Sequence, residues 1–360
     1  MPGLPQAGEL VGGGQWRRPI PEPGGPGSAG VLVIVSIDTE EDNWHRSRHG
    51  VTLENIREIP KLGAMFERLG VRPTYFTTYQ VATDARAADV LRETCATSGG
   101  EIAAHLHPWN TPPLTEAFVP RNSMLANLPA DLQLAKLRQL TGALQEAFQL
   151  TPRAFRAGRY GLGLDTVPAL LFCGYRVDSS VLPFVSWEEF DGPSFVHAPI
   201  APYRLAPADD VIRPAAEGGL IEIPLSCGFS RRPFDLWARV RRVLAARALR
   251  PFHLVGLASR LGLFKRVVLT PELASVDEML TLSRRLLEQG MRHLQLCWHS
   301  PSLKPGLSPF TATAADVARL YASVQAYLES LSRITPLTFV TVSEAGTLLA
   351  QQMRSGSAGG

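Results

Sequence analysis

Little in this 360-residue chain points by itself to a compartment, a partner or a membrane. Only four cysteines occur, Cys95, Cys173, Cys227 and Cys297, and none belongs to a C-x-x-C pair. That excludes a zinc knuckle and a dithiol redox motif, and leaves buried, reduced thiols as the expectation. The net charge of +3 is too small to suggest nucleic acid, and none is expected as a partner. No run reaches the roughly 18–20 apolar residues needed to cross a bilayer. Residues 1–30 are rich in Gly and Pro and lack the apolar stretch of about 7–15 residues of a secretion signal. A disordered lead is expected there, a flexible Ser/Gly tail over 354–360, and a soluble, cytoplasmic protein.

What is present is a foldable chain. Hydrophobic residues make up 45% and charged residues 19%, which allows a large core and excludes bulk disorder. Val31 to Ile37 is a β-branched run of the kind buried on both faces of a parallel sheet. Strands are also expected at Pro73–Val81, Arg153–Phe155, Tyr175–Val177, Gly219–Ile223, Arg266–Thr270, His293–Cys297 and Thr338–Val342. Helices are expected at Glu54–Leu69, Arg86–Thr97, Leu132–Phe148, Leu164–Cys173, Val276–Gln289, Ala312–Leu331 and Glu344–Met353. The alternation predicts one α/β domain over 31–353, a distorted (β/α) barrel of about seven strands. Chemistry in such barrels gathers at the C-terminal strand ends.

Five polar clusters stand at such ends. The first is Asp38-Thr39-Glu40-Glu41-Asp42. On extended chain, side chains two apart share a face, so Asp38 and Glu40 should point together, one free to act as a base and one to bind a cation. The second is His105-Leu106-His107-Pro108-Trp109. Pro108 pushes His107 away from helical angles, so the two imidazoles can converge on one ion. The third, Arg156-Ala157-Gly158-Arg159-Tyr160, places arginines where only a carboxylate or an anion would balance them. The fourth is Asp178-Ser179-Ser180, and the fifth delivers His299 from an apolar strand.

In this order the clusters resemble the five motifs of the polysaccharide deacetylases, the NodB-homology group of carbohydrate esterase family four, over about residues 31–345. The resemblance implies a divalent metal, with Zn²⁺ expected, held by Glu40, His105 and His107. It implies Asp38 as base, Arg156 holding it, the backbone N–H of Tyr160 for the oxyanion, Asp178 as an acid–base partner and His299 as general acid. Two departures stand out. Thr39 fills the place of the family's second aspartate, so Glu40 matches a variant form, and the histidines are two apart rather than four. The H-L-H-P-W and D-T-E-E forms look like an exopolysaccharide-associated subgroup. The implied activity is removal of N-acetyl groups from a saccharide or lipid-linked saccharide. The alternatives are an amide hydrolase of the same fold acting on a small non-sugar substrate, and a non-catalytic carbohydrate-binding relative.

Two features lie outside the motifs. His45 and His49 could be auxiliary ligands or substrate contacts, with loop residues the favoured reading. Residues 231–266 carry ten Lys/Arg and one acid, Asp235, interleaved with aromatic and aliphatic residues. A basic helical insertion is expected over 230–266, either covering the barrel or making peripheral contact with the inner membrane face.

Overall fold

The computed structural model describes residues 30–43, 51–207, 210–245, 253–260 and 263–357, without the side chains at 259–260 and 354–357. His45, His49 and residues 1–29 of the lead expected over 1–30 lie outside the described residues. The chain order is β1 (Val31–Thr39), α1 (Ile59–Leu69), β2 (Thr74–Thr77), α2 (Tyr79–Thr83), α3 (Ala85–Ser98) and β3 (Glu101–Leu106). Then follow α4 (Ala130–Phe148), β4 (Ala154–Ala157), α5 (Thr166–Phe172), β5 (Val177–Asp178), β6 (Tyr203–Leu205), β7 (Leu220–Glu222) and β8 (Cys227–Phe229). The rest is α6 (Phe234–Leu244), α7 (Leu254–Arg260), β9 (Arg266–Val268), α8 (Val276–Leu287), β10 (His293–His299), α9 (Ala314–Ser332), β11 (Leu337–Val340) and α10 (Val342–Ser357).

Nine strands form one curled sheet in the order β10-β1-β2-β3-β4-β5-β7-β6, with β11 pairing the start of β1. All pairings are parallel except β6 with β7. β10 runs along the whole of β1, from Leu32 against His293 to Asp38 against His299. Closure toward β7 is irregular: the Cys297 amide donates to the Leu269 carbonyl, the Leu269 amide to that of Ser226, and the Gln295 amide to Ser226 Oγ. This is the distortion of the expected barrel.

Alternation along β1 separates two cores. Val31, Val33, Val35 and Ile37 join the outer core beneath the helices. Ile34 joins a second cluster with Phe76, Ala103, Ala154, Val177 and Ile221, which α10 closes through Val342, Ala345 and Leu349. α10 must lie close here, because a Cβ on Gly346 would stand 2.3 Å from Val177 Cγ2. Above this apolar floor the inward positions turn polar, so the chemistry stands at the C-terminal end of the strands.

Three expectations change. Pro73–Val81 is not one strand: β2 ends at Thr77 and α2 begins at Tyr79. Glu54–Leu69 divides into a 3-10 turn at Glu54–Glu58 and α1. The last helix continues to Ser357, into the stretch expected as tail. Among the described residues of the expected insertion, α6 and α7 stand between the antiparallel strands β8 and β9. One buried cation was not foreseen. Lys136 of α4 donates to the carbonyls of Pro108, Thr111 and Pro113, each at 2.8 Å, and pairs with Glu116 at 3.1 Å. It thereby holds the loop that follows β3, whose first residues belong to the site.

Candidate metal centre

The expected parity holds at β1. Asp38 and Glu40 face the same way, while Thr39 lies between them with its hydroxyl bonded to the Ile37 carbonyl at 3.1 Å. Each acid of the first cluster has its own partners. Asp38 accepts from Arg156 at 2.5 Å. Glu40 meets the histidines, with Oε2 3.1 Å from His107 Nε2 and 3.6 Å from His105 Nε2. Glu41 accepts from Asn110 at 2.5 Å and Thr78 at 3.2 Å and pairs with His107 Nδ1 at 2.9 Å. Asp42 receives the amides of Glu54 and Asn55 and so starts the next helical turn.

The tautomers of the two histidines follow from their outer partners. His105 Nδ1 lies 3.0 Å from the carbonyl oxygen of Arg156, which can only accept, so Nδ1 carries the proton. His107 Nδ1 faces the Glu41 carboxylate in the same manner, a pairing that fixes ring orientation at metal sites. Both Nε2 atoms therefore turn lone pairs inward, 3.1 Å apart, beside Glu40 Oε2. Three buried acceptors converge on one point, and Glu40 Oε1 has no hydrogen-bond partner among the described residues. In a site this dry, such an arrangement costs free energy unless a cation or a proton occupies it. With no ion bound, the Glu41 and Glu40 carboxylates raise the His107 pKa to about 9 against the opposing effect of burial, so a proton takes the ion's place on this ring. A carboxylate with two imidazoles is also a zinc donor set that leaves one position open. The residues fit a divalent ion.

The surroundings fix these donors. The His107 ring stacks on Trp109 at 4.2 Å and 18°. Gly158 is required beside it, since a Cβ there would stand 2.4 Å from His107 Cδ2 and 2.7 Å from the Leu106 carbonyl. Arg156 is 1% exposed, lies over Phe76 at 4.1 Å, and donates to Asp38, Ser36 and Ser179. Gln295 completes this polar floor by bonding Ser36 and Ser179. Burial would raise the Asp38 pKa, but the charges of Arg156 and His299 bring it down to about 2. Asp38 is therefore an anion throughout the physiological range.

His299 stands opposite, with Nε2 3.9 Å from Asp38 Oδ2. Its Nδ1 meets Glu272 at 2.8 Å, its amide donates to the same carboxylate, and its ring stacks on Phe310. Burial works against the imidazolium, but Glu272, Glu40 and Asp38 raise its pKa to about 10. An ionised acceptor and a protonated donor thus flank one small space. At the rim, Arg159 and Tyr160 both take positive φ, 53° and 60°, which non-glycine residues seldom adopt. The Tyr160 ring stacks on Trp187 at 5.1 Å.

One expected residue is elsewhere. Asp178 does not join Arg156; Ser179 takes that place. The cause is strand parity. Val177 belongs to the inner cluster and Ser179 reaches Arg156 and Gln295, so Asp178 faces outward in register with Phe155, Glu222 and Tyr203. There it accepts from the amide and hydroxyl of Ser180. Burial and the Asp178 charge raise the Glu222 pKa well above the usual range, so this pair shares a proton away from the site. The acid beside the histidine is Glu272, just past β9. Applying the strand-end rule to the expected strand Arg266–Thr270 would have pointed to it.

Two tests follow from the geometry. Glu41→Gln keeps the Glu40, His105 and His107 donors but weakens the hold on His107 Nδ1. It should lower zinc affinity about 10–100-fold by competition titration; unchanged affinity would deny Glu41 this role. In the pH dependence of kcat/KM, Glu272→Gln should move the alkaline limb to lower pH. The variant removes the anion that raises the His299 pKa, so the imidazolium loses its proton at lower pH. Asp178→Asn should leave that limb in place; a shift there instead would restore Asp178 to the site.

No protein-family model matches the sequence, and no curated protein does. Solved structures do resemble it. A candidate polysaccharide deacetylase from Mycobacterium smegmatis superposes with a TM-score of 0.50 at 18% identity, covering 90% of this chain and 92% of the other. A candidate glycoside hydrolase or deacetylase from Parabacteroides distasonis gives a TM-score of 0.57 at 13% identity, covering 91% and 73%. At such identities the likeness concerns the backbone, and what it establishes is that this chain has the α/β fold of the polysaccharide deacetylases.

Proposed function

We propose that the protein is a metal-dependent hydrolase that removes N-acetyl groups from a saccharide or lipid-linked saccharide. The observation that carries this reading is the meeting of three groups in one space: the Glu40–His105–His107 donor set, the Asp38 anion and the His299 imidazolium. A divalent ion there, with Zn²⁺ suited to these donors, would acidify water and polarise an acyl carbonyl.

The chain's own residues supply the rest. Asp38, oriented by Arg156, accepts the proton of the attacking water. His299, charged and held by Glu272, gives a proton to the departing amine nitrogen. The backbone N–H of Tyr160, at the rim turn, is assigned to the developing oxyanion. The stacked Trp187 and Tyr160 rings offer a flat apolar wall suited to a sugar face. Tyr160 and Arg156 therefore keep the roles implied by the resemblance, while Asp178 gives its role to Glu272. The joint presence of base, acid and donor set favours catalysis over a purely binding role.

Zinc-loaded protein should release acetate from N-acetylated oligosaccharides. Asp38→Asn should lower kcat by about 10²–10⁴-fold with zinc retained, and His299→Ala should lower kcat more than KM. Release of acyl groups from small cyclic or linear amides but from no sugar would select the non-sugar reading. Zinc-loaded protein inert on both classes would overturn the hydrolase assignment.

A further inference from the structure

The small net charge conceals a strong segregation. Residues 231–266 hold ten Lys/Arg and one acid, whereas the remaining chain holds 26 Lys/Arg and 32 Asp/Glu. A net-acidic body therefore carries one basic segment, within which the helices α6 and α7 lie.

The inner side of this segment is well packed. Phe234 meets Phe184 and Phe229 edge-on, and Trp237 stacks on Phe264 at 5.2 Å. The outer side is different. Leu236, Arg239 and Val243 follow the i, i+3, i+7 spacing of one helical face. Leu236 and Val243 are 49% and 60% exposed, and Leu257 and Leu263 are 52% and 48% exposed. Arg239 and Arg242 are exposed on the same helix, Arg242 also donating to His197 Nε2 at 3.2 Å. Single exposed leucines need no explanation. Four exposed aliphatic side chains among arginines, on a segment that contributes none of the catalytic groups, do.

The partner's chemistry follows from this mixture. A nucleic acid or an acidic polysaccharide would take the arginines and leave the aliphatic side chains in water. An anionic bilayer accepts both, with guanidinium groups at phosphate depth and Leu and Val in the interface. No described helix is long and apolar enough to cross a membrane, so the contact is lateral. We propose that α6, α7 and the Leu263 bend before β9 dock the protein on an anionic phospholipid surface through Leu236, Val243, Leu257 and Leu263, with Arg239 and Arg242 at the phosphates. Docking stands apart from the deacetylase reading, since vesicle binding requires no turnover.

The test uses the full chain and co-sedimentation with vesicles of phosphatidylcholine alone or mixed with phosphatidylglycerol, over a salt series. Binding should favour the anionic vesicles and fade as salt rises. Arg239→Glu with Arg242→Glu should lower partitioning by roughly tenfold or more. Leu236→Ser with Val243→Ser should also lower it, while leaving binding to a soluble polyanion such as dextran sulfate unchanged. Equal, negligible binding of the wild-type protein to both vesicle types would overturn the proposal. So would vesicle binding indifferent to the Leu/Val pair, which would reassign the segment to a soluble polyanion. The wild-type salt series decides the matter even if a variant fails to fold.

Discussion

The structure turns on three buried metal-ligating groups that face one another. Glu40 Oε2 and the Nε2 atoms of His105 and His107 meet because each imidazole has its other nitrogen already engaged, one by a backbone carbonyl and one by Glu41. Remove those outer partners and either ring could turn or change tautomer. Much of the surrounding architecture preserves this convergence. Gly158 leaves room for the His107 ring, Trp109 stacks against it, and Lys136 holds the loop that carries Trp109 and Asn110.

A second constraint lies beneath it. Arg156 is a full charge inside the barrel, and removing a charge from water costs several kcal/mol even after relaxation. Its ion pair with Asp38 and its bonds to Ser36 and Ser179 offset that cost. The same pair keeps Asp38 ionised. The device that makes the buried arginine tolerable is therefore also the one that holds this carboxylate ionised. Glu272 acts in the opposite sense on His299, holding the imidazole charged. The Asp38 carboxyl and the His299 imidazole thus differ in protonation at the same pH because their closest partners have opposite signs.

Most of this was legible in the sequence wherever a local rule applied. Alternation placed Asp38 and Glu40 together, Pro108 argued for an extended His107, and the β-branched run marked β1. Where partners came from distant segments, local rules were weaker. Glu41 looked like one more acid in a row, and only its contact with His107 distinguishes it. Glu272 stood at the end of an expected strand but lacked a neighbouring motif. Lys136 occupied a buried helical position where a cation is not expected. Asp178 was misplaced because its position in the motif order was followed while strand parity, with Val177 and Ser179 facing inward, was not. Likewise, β2 was drawn too long because Tyr79-Gln80-Val81 has strand-like residues but starts α2.

The account rests on an ion bound by one carboxylate and two imidazoles, and X-ray absorption at the zinc edge tests it most directly. Zinc-loaded protein should show two imidazole ligands at about 2.0–2.1 Å with the remaining positions filled by oxygen. A spectrum with sulfur scattering, or with no imidazole component, would contradict it.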